Sequence, residues 1–129
     1  MTEDLVNAAR EVRKNAYCPY SGVAVGAALM TKSGRTFVGC NVENSSFPNG
    51  VCAEVGAVAA AVAAGEREFS EVAIVGGQSR PMPPCGSCRQ VLSEFSPDLR
   101  VVMVAESGAR REASLRDLLP EGFRLGNSA

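Results

Sequence analysis

The chain has 129 residues, of which 46% are hydrophobic, so it is long and apolar enough for one compact domain with a hydrophobic core. Thirteen basic and fourteen acidic side chains leave a net charge of −1, and no basic cluster is longer than Arg110-Arg111, which argues against a nucleic acid partner. No run approaches the roughly 18 apolar residues of a membrane span, and the acidic start Met1–Asp4 lacks the basic region of a signal peptide. We therefore expect a single cytoplasmic domain over residues 1–129 that acts on a small molecule.

Apolar periodicity and turn residues predict alternating helices and strands. Thr2 is a suitable N-cap for a first helix, which Tyr17 and the residues after it end. Lys32-Ser33-Gly34 is a hairpin turn between the next two apolar runs, and Gly65 suits the C′ position of an alanine-rich helix. After the first helix, we predict strands at 23–30 and 36–40, a loop at 41–51, a helix at 52–64, a strand at 71–75, a loop at 76–84, a helix at 85–95, a strand at 100–105 and a short helix at 114–119. A hairpin followed by this α-β-α-β order is typical of an α/β layered domain with a partly parallel sheet.

The most informative motif is Cys52-Ala53-Glu54, followed along the chain by Cys85 and Cys88. Three thiolates can fill three corners of a zinc tetrahedron, and a catalytic zinc site keeps the fourth position open for water. The chain has no histidine, so a fourth soft protein ligand would have to be Cys18 or Cys40. Both halves of the motif open predicted helices, whose N-termini favour thiolate over thiol. The spacing therefore predicts a zinc site at two helix ends.

Glu54 favours a catalytic interpretation of this site over a structural one. Residues two apart on a helix diverge by about 200°, so Glu54 would reach the water beside the metal without joining Cys52 as a ligand. A structural cysteine-rich zinc site and a redox-active Cys-x-x-Cys pair are the alternatives. Both alternatives leave Glu54 and the polar loop at 41–51 unexplained.

Three motifs in this order resemble the small homotetrameric cytidine deaminases of the cytidine/deoxycytidylate deaminase superfamily. They are Asn41-Val42-Glu43-Asn44, Cys52-Ala53-Glu54 and Pro84-Cys85-Gly86-Ser87-Cys88-Arg89-Gln90. The similarity extends from Tyr17-x-Pro19-Tyr20-Ser21 to Leu118-Leu119-Pro120, nearly the whole chain. It implies a three-layer α/β/α fold with a mixed sheet of about five strands. It also implies a cytoplasmic homotetramer that hydrolyses a cyclic amidine C–N bond in pyrimidine salvage.

The resemblance assigns the chemistry to four residues. Cys52, Cys85 and Cys88 would bind Zn²⁺, and a zinc-bound hydroxide would attack C4 of cytidine or deoxycytidine. Glu54 would take a proton from the zinc water, deliver it to N3 of the pyrimidine and help to expel ammonia. The products would be uridine or deoxyuridine and ammonia.

The resemblance also implies a set of substrate-binding residues. Asn41 and Glu43 would hydrogen-bond the ribose hydroxyls, although Asn41 alone is also explained as a turn residue after a strand. Ala53 lies beside the catalytic glutamate. Phe47 occupies a position where the family usually has a tyrosine, and its ring can pack but cannot donate a hydrogen bond. Phe123 falls where a C-terminal aromatic reaches a neighbouring subunit's site, and a core plug under the C-terminal tail is the alternative for it.

Two departures from the family pattern concern the substrate more than the chemistry. Val55 follows the catalytic glutamate, a position where the family commonly has an arginine that is thought to offset thiolate charge. Arg89 is a candidate to supply a compensating hydrogen bond instead. Val23 stands where a phenylalanine usually lies against the base. This implies a roomier pocket, or one that another side chain fills.

Two other functions stay open at this point. Blasticidin S deaminase also has an apolar, alanine-rich segment after its glutamate, so a modified cytosine nucleoside with a bulkier sugar is an alternative substrate. A non-catalytic, zinc-stabilised module is the alternative from a different class. Free cytosine is disfavoured if Asn41 and Glu43 bind sugar, and polynucleotide substrates are disfavoured because the sequence predicts no basic groove.

Overall fold

The computed structural model describes residues 2–126, which form four helices and five strands. The helices are α1 (Thr2–Arg13), α2 (Ala53–Ala63), α3 (Gly86–Phe95) and α4 (Leu115–Leu118). The strands are β1 (Gly26–Thr31), β2 (Thr36–Cys40), β3 (Phe69–Val75), β4 (Arg100–Val104) and β5 (Arg110–Ser114). A short 3₁₀ turn, Phe47–Asn49, interrupts the long loop between β2 and α2.

The five strands form one mixed sheet in the order β2-β1-β3-β4-β5. β1 pairs antiparallel with both β2 and β3, and β4 pairs antiparallel with β5. β3 and β4 are parallel, with Glu71 opposite Arg100 and Val75 opposite Val104. Their crossover carries α3, as a parallel connection requires, and the predicted partly parallel sheet is confirmed.

Helices cover both faces of the sheet, and the alternation of side chains along each strand gives each face its own core. On one face, Leu29, Ile74 and Met103 pack against α2, α3 and α4. On the other face, alternate residues of the same strands pack against Leu5, Val6 and Ala9 of α1. The molecule therefore has the three-layer α/β/α arrangement that was expected.

Glycines allow two helices to approach the sheet closely. A Cβ at Gly26 of β1 would lie 2.0 Å from the Ala9 carbonyl oxygen of α1. A Cβ at Gly39 of β2 would lie 2.4 Å from the Ala53 carbonyl oxygen and 2.5 Å from the Ala57 nitrogen of α2. The second contact matters for function, because it fixes the start of the helix that follows Cys52.

Two predicted helix features are wrong. Thr2 is the first helical residue of α1, not the residue before it. Its hydroxyl donates to the Glu71 carboxylate, 3.1 and 3.0 Å from the two oxygens, and so joins α1 to β3. The first helix ends at Arg13 because the next three residues, at 14–16, form tighter i to i−3 hydrogen bonds. The left-handed Gly65, with φ of 92°, follows α2 as predicted.

Two predicted strand features are also wrong. The apolar residues at 23–25 precede β1 as irregular chain, because the Asn41 side chain occupies the backbone groups of Val23 and Val25. β5 was not among the predicted strands. Its residues, Arg110–Ser114, are mainly polar and form the exposed edge of the sheet, so they show no apolar alternation. Within residues 2–126, no helix is both long and apolar enough to cross a bilayer.

Candidate active site

The three predicted metal ligands meet at the N-termini of two helices. Cys52 immediately precedes α2, Cys85 is the N-cap residue of α3, and Cys88 lies in the first turn of α3. Their Sγ atoms all lie within 4.8 Å of one another. Neither Cys18 nor Cys40 belongs to this cluster, and both are half-buried elsewhere among the described residues.

The geometry and chemistry of the three thiols fit Zn²⁺. A tetrahedral zinc with bonds of about 2.3 Å to sulfur needs Sγ atoms about 3.8 Å apart, which small side-chain rotations provide from the observed spacing. The Cys85 Sγ accepts a hydrogen bond from the Cys88 backbone N–H at 3.5 Å. Burial raises the pKa of Cys85, but the hydrogen bonds from Cys88, Cys52 and the Ser87 backbone outweigh it, and the net pKa is lowered. The helix end thus favours a thiolate at this position.

The pKa values of Cys52 and Cys88 are raised, whereas that of Cys85 is lowered. Burial raises the pKa of Cys52, with the nearby Cys85 and Glu54 charges adding to the effect. Burial and the Glu54 charge also raise the pKa of Cys88, whose side chain is 1% exposed. Two thiols that resist ionisation on their own, one exposed (Cys52) and one buried (Cys88), are suited to a site where a cation completes the charge balance.

Glu54 lies in the first turn of α2 and is only 6% exposed. Burial raises its pKa. The predicted angular divergence from Cys52 does not apply, because Cys52 has extended backbone angles (φ −75°, ψ 154°) and lies just outside the helix. The thiol and the carboxyl therefore both line one cavity.

This cavity has a volume of about 270 Å³. The three cysteines, Glu54, Ala53 and Asn41 line it together with six further residues. Of these six, the sequence had singled out only Val23. The other five are Ser21, Val25, Ile74, Met82 and Pro83. No sequence motif marks Ile74 and Met82, which reach the cavity from the end of β3 and the loop before α3. Ser21 lies in the Tyr-x-Pro-Tyr-Ser motif, a signal that could have identified it. A larger cavity of about 560 Å³ lies under the C-terminal tail and contains none of the predicted site residues.

Asn41 builds one wall of the active-site cavity. Its Oδ1 accepts from the Val25 N–H at 2.8 Å, and its Nδ2 donates to the Val23 carbonyl at 2.7 Å. The Asn41 backbone N–H also donates to the Val25 carbonyl at 3.2 Å. The amide therefore holds the Val23–Val25 segment in place and keeps one further N–H hydrogen on Nδ2.

Glu43 lines a neighbouring cavity of about 400 Å³ that shares Ser21 with the first. Its Oε1 accepts from the backbone N–H groups of Tyr20 and Ser21 at 2.9 and 3.1 Å, and its Oε2 accepts from the Ser21 hydroxyl. The Ser21 hydroxyl bond is the main reason that the pKa of Glu43 is lowered from 4.5. Desolvation opposes it, and the two backbone bonds lower the pKa further. Asn41 and Glu43 thus lie on two adjoining cavities.

The two predicted aromatic residues lie outside the metal cavity. Phe47 is 74% exposed, lines the Glu43 cavity and makes an edge contact with Tyr20 at 5.8 Å between ring centroids. Phe123 is 68% exposed, and its carbonyl accepts from the Gln90 side chain at 3.1 Å. A core plug at Phe123 is therefore wrong.

Arg89 does not donate to the thiols in any described bond. Its Nε donates to the Pro84 carbonyl and its Nη1 to the Leu118 carbonyl, both at 2.8 Å. Arg89 was a candidate to compensate thiolate charge, and its described bonds go to backbone carbonyls instead. The side chain instead fastens the residue before Cys85 to the end of α4. Val55 is half-buried and is not among the residues that line the metal cavity.

An open three-thiolate zinc site next to a buried carboxyl is characteristic of zinc-dependent hydrolytic enzymes. Residues 1–105 match the family model for the cytidine and deoxycytidylate deaminase zinc-binding region. The chain is 41% identical over 120 residues to a cytidine deaminase of Halalkalibacterium halodurans, which is 92% of this chain and 91% of that protein.

Solved structures give the same result. The chain superposes on the crystal structure of a cytidine deaminase from Burkholderia pseudomallei with a TM-score of 0.92 and 47% identity, over 95% of this chain and 99% of that chain. A cytidine deaminase from Mycobacterium tuberculosis gives a TM-score of 0.84 and 38% identity, over 96% of this chain and 98% of that chain. The chain belongs to the cytidine and deoxycytidylate deaminase family.

Proposed function

We propose that this enzyme hydrolyses cytidine and deoxycytidine to uridine and deoxyuridine, with release of ammonia. The observation that carries the proposal is the convergence of three Sγ atoms within 4.8 Å of one another on a cavity that also contains the buried Glu54. The reaction consumes one water, whose oxygen becomes the C4 carbonyl oxygen, and C4 loses its amino group as ammonia. We place the reaction in pyrimidine salvage.

Cys52, Cys85 and Cys88 would hold the metal. Zinc bound there would supply a water that is acidic enough to act as a nucleophile near neutral pH. Glu54 would take a proton from this water and pass it to N3 of the pyrimidine. It would then carry a second proton, which the hydroxyl on C4 gives up as it becomes the carbonyl, to the departing amine. Its burial supports this role, because a desolvated carboxyl takes up a proton more readily than an exposed one.

We assign the sugar to the side of the cavity that Asn41, Ser21 and Glu43 form. Asn41 retains one N–H hydrogen on Nδ2, and Glu43 carries three described hydrogen bonds on a carboxylate that can accept about four. A ribose hydroxyl can accept from the amide and donate to the carboxylate. Ala53 has an apolar side chain, so a polar contact from it would use its backbone.

We further propose that the chain, as one domain over residues 1–129, works as a cytoplasmic homotetramer. Phe47 and Phe123 support this assembly, because both rings are largely exposed in the single chain. In a tetramer they can contribute to the edge of a site that neighbouring subunits complete. No nucleic acid partner is proposed, since the chain carries a net charge of −1 without a basic cluster.

One observation favours blasticidin S or another modified cytosine nucleoside as a second candidate substrate. The cavities of about 270 and 400 Å³ adjoin at Ser21, and Val23, which lines the smaller of them, is 43% exposed. A bulkier sugar would fit along this path. A non-catalytic zinc module is disfavoured, because a purely structural site gives no reason to bury Glu54 beside the thiols.

The test is ammonia release by the zinc-loaded protein with cytidine, deoxycytidine, cytosine and blasticidin S in parallel. We expect turnover of both nucleosides and little or none of free cytosine, which lacks the sugar. Turnover of blasticidin S alone would replace the proposed substrate with the second candidate. No turnover of any of the four by protein with stoichiometric zinc would contradict the proposed function.

A further inference from the structure

Met82 lines the metal cavity but has no part in the chemistry proposed above. It lies three residues before Cys85, between Pro81 and Pro83, and is half-buried. The prolines restrict the backbone on both sides of it. Its position close to a metal ligand brings its side chain near the place where the base must react.

Two glycines leave room for the Met82 side chain at the end of β3. A Cβ at Gly76 would lie 3.1 Å from the Met82 Sδ, and a Cβ at Gly77 would lie 3.0 Å from the Met82 Cγ. Both distances are tighter than ordinary contacts, so the thioether rests directly on this glycine pair. The Cβ position at Gly76 also lies 3.2 Å from the Val25 Cγ2. Met82 and Val25 therefore adjoin on the same cavity wall.

The two parts of this wall differ in stiffness. Val23 and Val25 are β-branched, and the Asn41 amide holds their backbone through bonds of 2.7 and 2.8 Å. Met82 has an unbranched side chain with three rotatable bonds and a polarisable sulfur, and it can adapt to different shapes. Among the apolar residues of this cavity, Met82 is thus the one whose movement most easily changes the space available.

We propose that Met82 is a specificity-determining residue for substituted cytosine rings. Its thioether limits the size of the apolar substituent that C5 can carry. The proposal rests on the function proposed above, because C4 must then lie at the metal site. C5 is bonded to C4, so a group on C5 lies about 2.5 Å from the reacting carbon, by the ordinary geometry of bonded atoms. Met82 lines the same cavity as the three cysteines and Glu54.

The experiment measures kcat/KM for cytidine, 5-methylcytidine and 5-ethylcytidine in the parent, Met82→Ala and Met82→Leu, each with zinc content determined. We expect Met82→Ala to raise kcat/KM for 5-ethylcytidine, relative to kcat/KM for cytidine, about tenfold or more. The reason is that each methylene in an apolar pocket changes selectivity by roughly 10- to 200-fold. Met82→Leu, which nearly conserves volume, should keep the ratio within about threefold. A purely structural role would lower all three rates together and leave the ratio unchanged.

A second variant keeps the proposal testable if Met82→Ala does not fold. Met82→Val also removes volume from the cavity but keeps an apolar, β-branched side chain there. We expect it to raise kcat/KM for 5-ethylcytidine relative to cytidine, in the same direction as Met82→Ala, and an unchanged ratio would overturn the role of Met82.

The possible outcomes separate the two proposals. If the zinc-loaded parent does not turn over cytidine, the proposed function fails and the role of Met82 fails with it. If the parent turns over cytidine but the ratios are equal in all variants, the role of Met82 alone is overturned. A ratio that rises in Met82→Ala and holds in Met82→Leu supports both.

Discussion

Asn41 and Glu43 each perform a structural task in addition to the sugar contacts that we propose. Asn41 makes two side-chain bonds to the Val23–Val25 segment, and Glu43 accepts three bonds from Tyr20 and Ser21. Both side chains therefore shape the cavity before any substrate enters. Replacing either one changes the wall of the cavity as well as its hydrogen-bonding groups.

Ser21→Ala should raise the pKa of Glu43 towards 4.5, because the Ser21 hydroxyl contributes most to lowering it. The pKa is lowered in the folded state, so the stabilisation from ionised Glu43 is present above pH 4.5 and is lost as the pH falls through the lower folded pKa. Carboxyl ¹³C shifts of Glu43 followed by NMR between pH 2.5 and 7 measure the pKa directly. A parent Glu43 that titrates at or above 4.5 would contradict the observed hydrogen bonds.

The chemical residues of the candidate site were predictable from sequence, whereas most of its wall was not. The three cysteines and Glu54 stand in a spacing that only a metal site with a nearby acid explains well. Met82 and Ile74 carry no comparable signal, because they line the cavity only through the crossover between β3 and α3. The same limit applies to Asn41, whose bonds to 23–25 turned an expected strand start into irregular chain.

At the scale of elements, the site depends on where α2 begins relative to β2. Cys52 and Glu54 lie on either side of the first residue of α2, and Gly39 of β2 lies against the Ala53 carbonyl. Any side chain at Gly39 must therefore push the helix start away from the sheet. This contact connects packing directly to the metal site.

Gly39→Ala should destabilise the zinc-loaded protein by about 1–3 kcal/mol, because its Cβ would lie 2.4 Å from the Ala53 carbonyl oxygen. Gly56→Ala, on the facing side of α2, is the matched control, since its Cβ would meet only ordinary contacts at 3.6 and 4.0 Å. We expect the control to be neutral or stabilising by about 0.5–1 kcal/mol through helix propensity. Urea unfolding at one fixed protein concentration compares the two. Equal effects of both substitutions would contradict the close approach.

Arg89→Met should weaken zinc binding by about 10- to 100-fold, in the range typical of residues that position metal ligands. The substitution removes the bonds to the Pro84 and Leu118 carbonyls and frees the residue before Cys85. Competition with a chelator of known affinity measures the change. Arg111→Met on the exposed edge strand β5 is the control for loss of charge. Equal zinc affinity in the Arg89 variant and the control would show that Arg89 does not help to position the metal ligands.

The α/β class and the central strands followed from apolar runs and helix signals, whereas the three-layer order was implied by the family resemblance. β5 shows the limit of that reasoning. Its residues Arg110–Ser114 are polar, and pairing with the buried β4 defines them as a strand. Such an edge is recognised only after its partner is in place.

At the scale of the molecule, several large apolar side chains of one region are exposed. Tyr17 and Val51 each form a backbone bridge to Val42, and the Tyr20 ring contacts the Phe47 ring, so these residues form two groups. Each of the five is at least 40% exposed. Exposed apolar side chains grouped in this way favour association with another chain.

We expect sedimentation equilibrium to give a mass of four times the 13.5 kDa chain, about 54 kDa, as the proposed homotetramer requires. Phe47→Ser should shift the protein towards smaller species, because Phe47 is the most exposed residue of the two groups. Val38→Ser, on the exposed β2, is the control. A fully active parent protein that sediments at 13.5 kDa would contradict the assembly.

The central claim is that Glu54 moves protons beside a metal held by three cysteines. The most direct test compares ammonia release from cytidine and bound zinc in the parent, Glu54→Gln and Glu68→Gln, the last being an exposed control just before β3. We predict that Glu54→Gln keeps one zinc per chain and loses about 10²- to 10⁴-fold in kcat, while Glu68→Gln keeps the parent rate. Parent-like turnover by zinc-loaded Glu54→Gln would contradict the account.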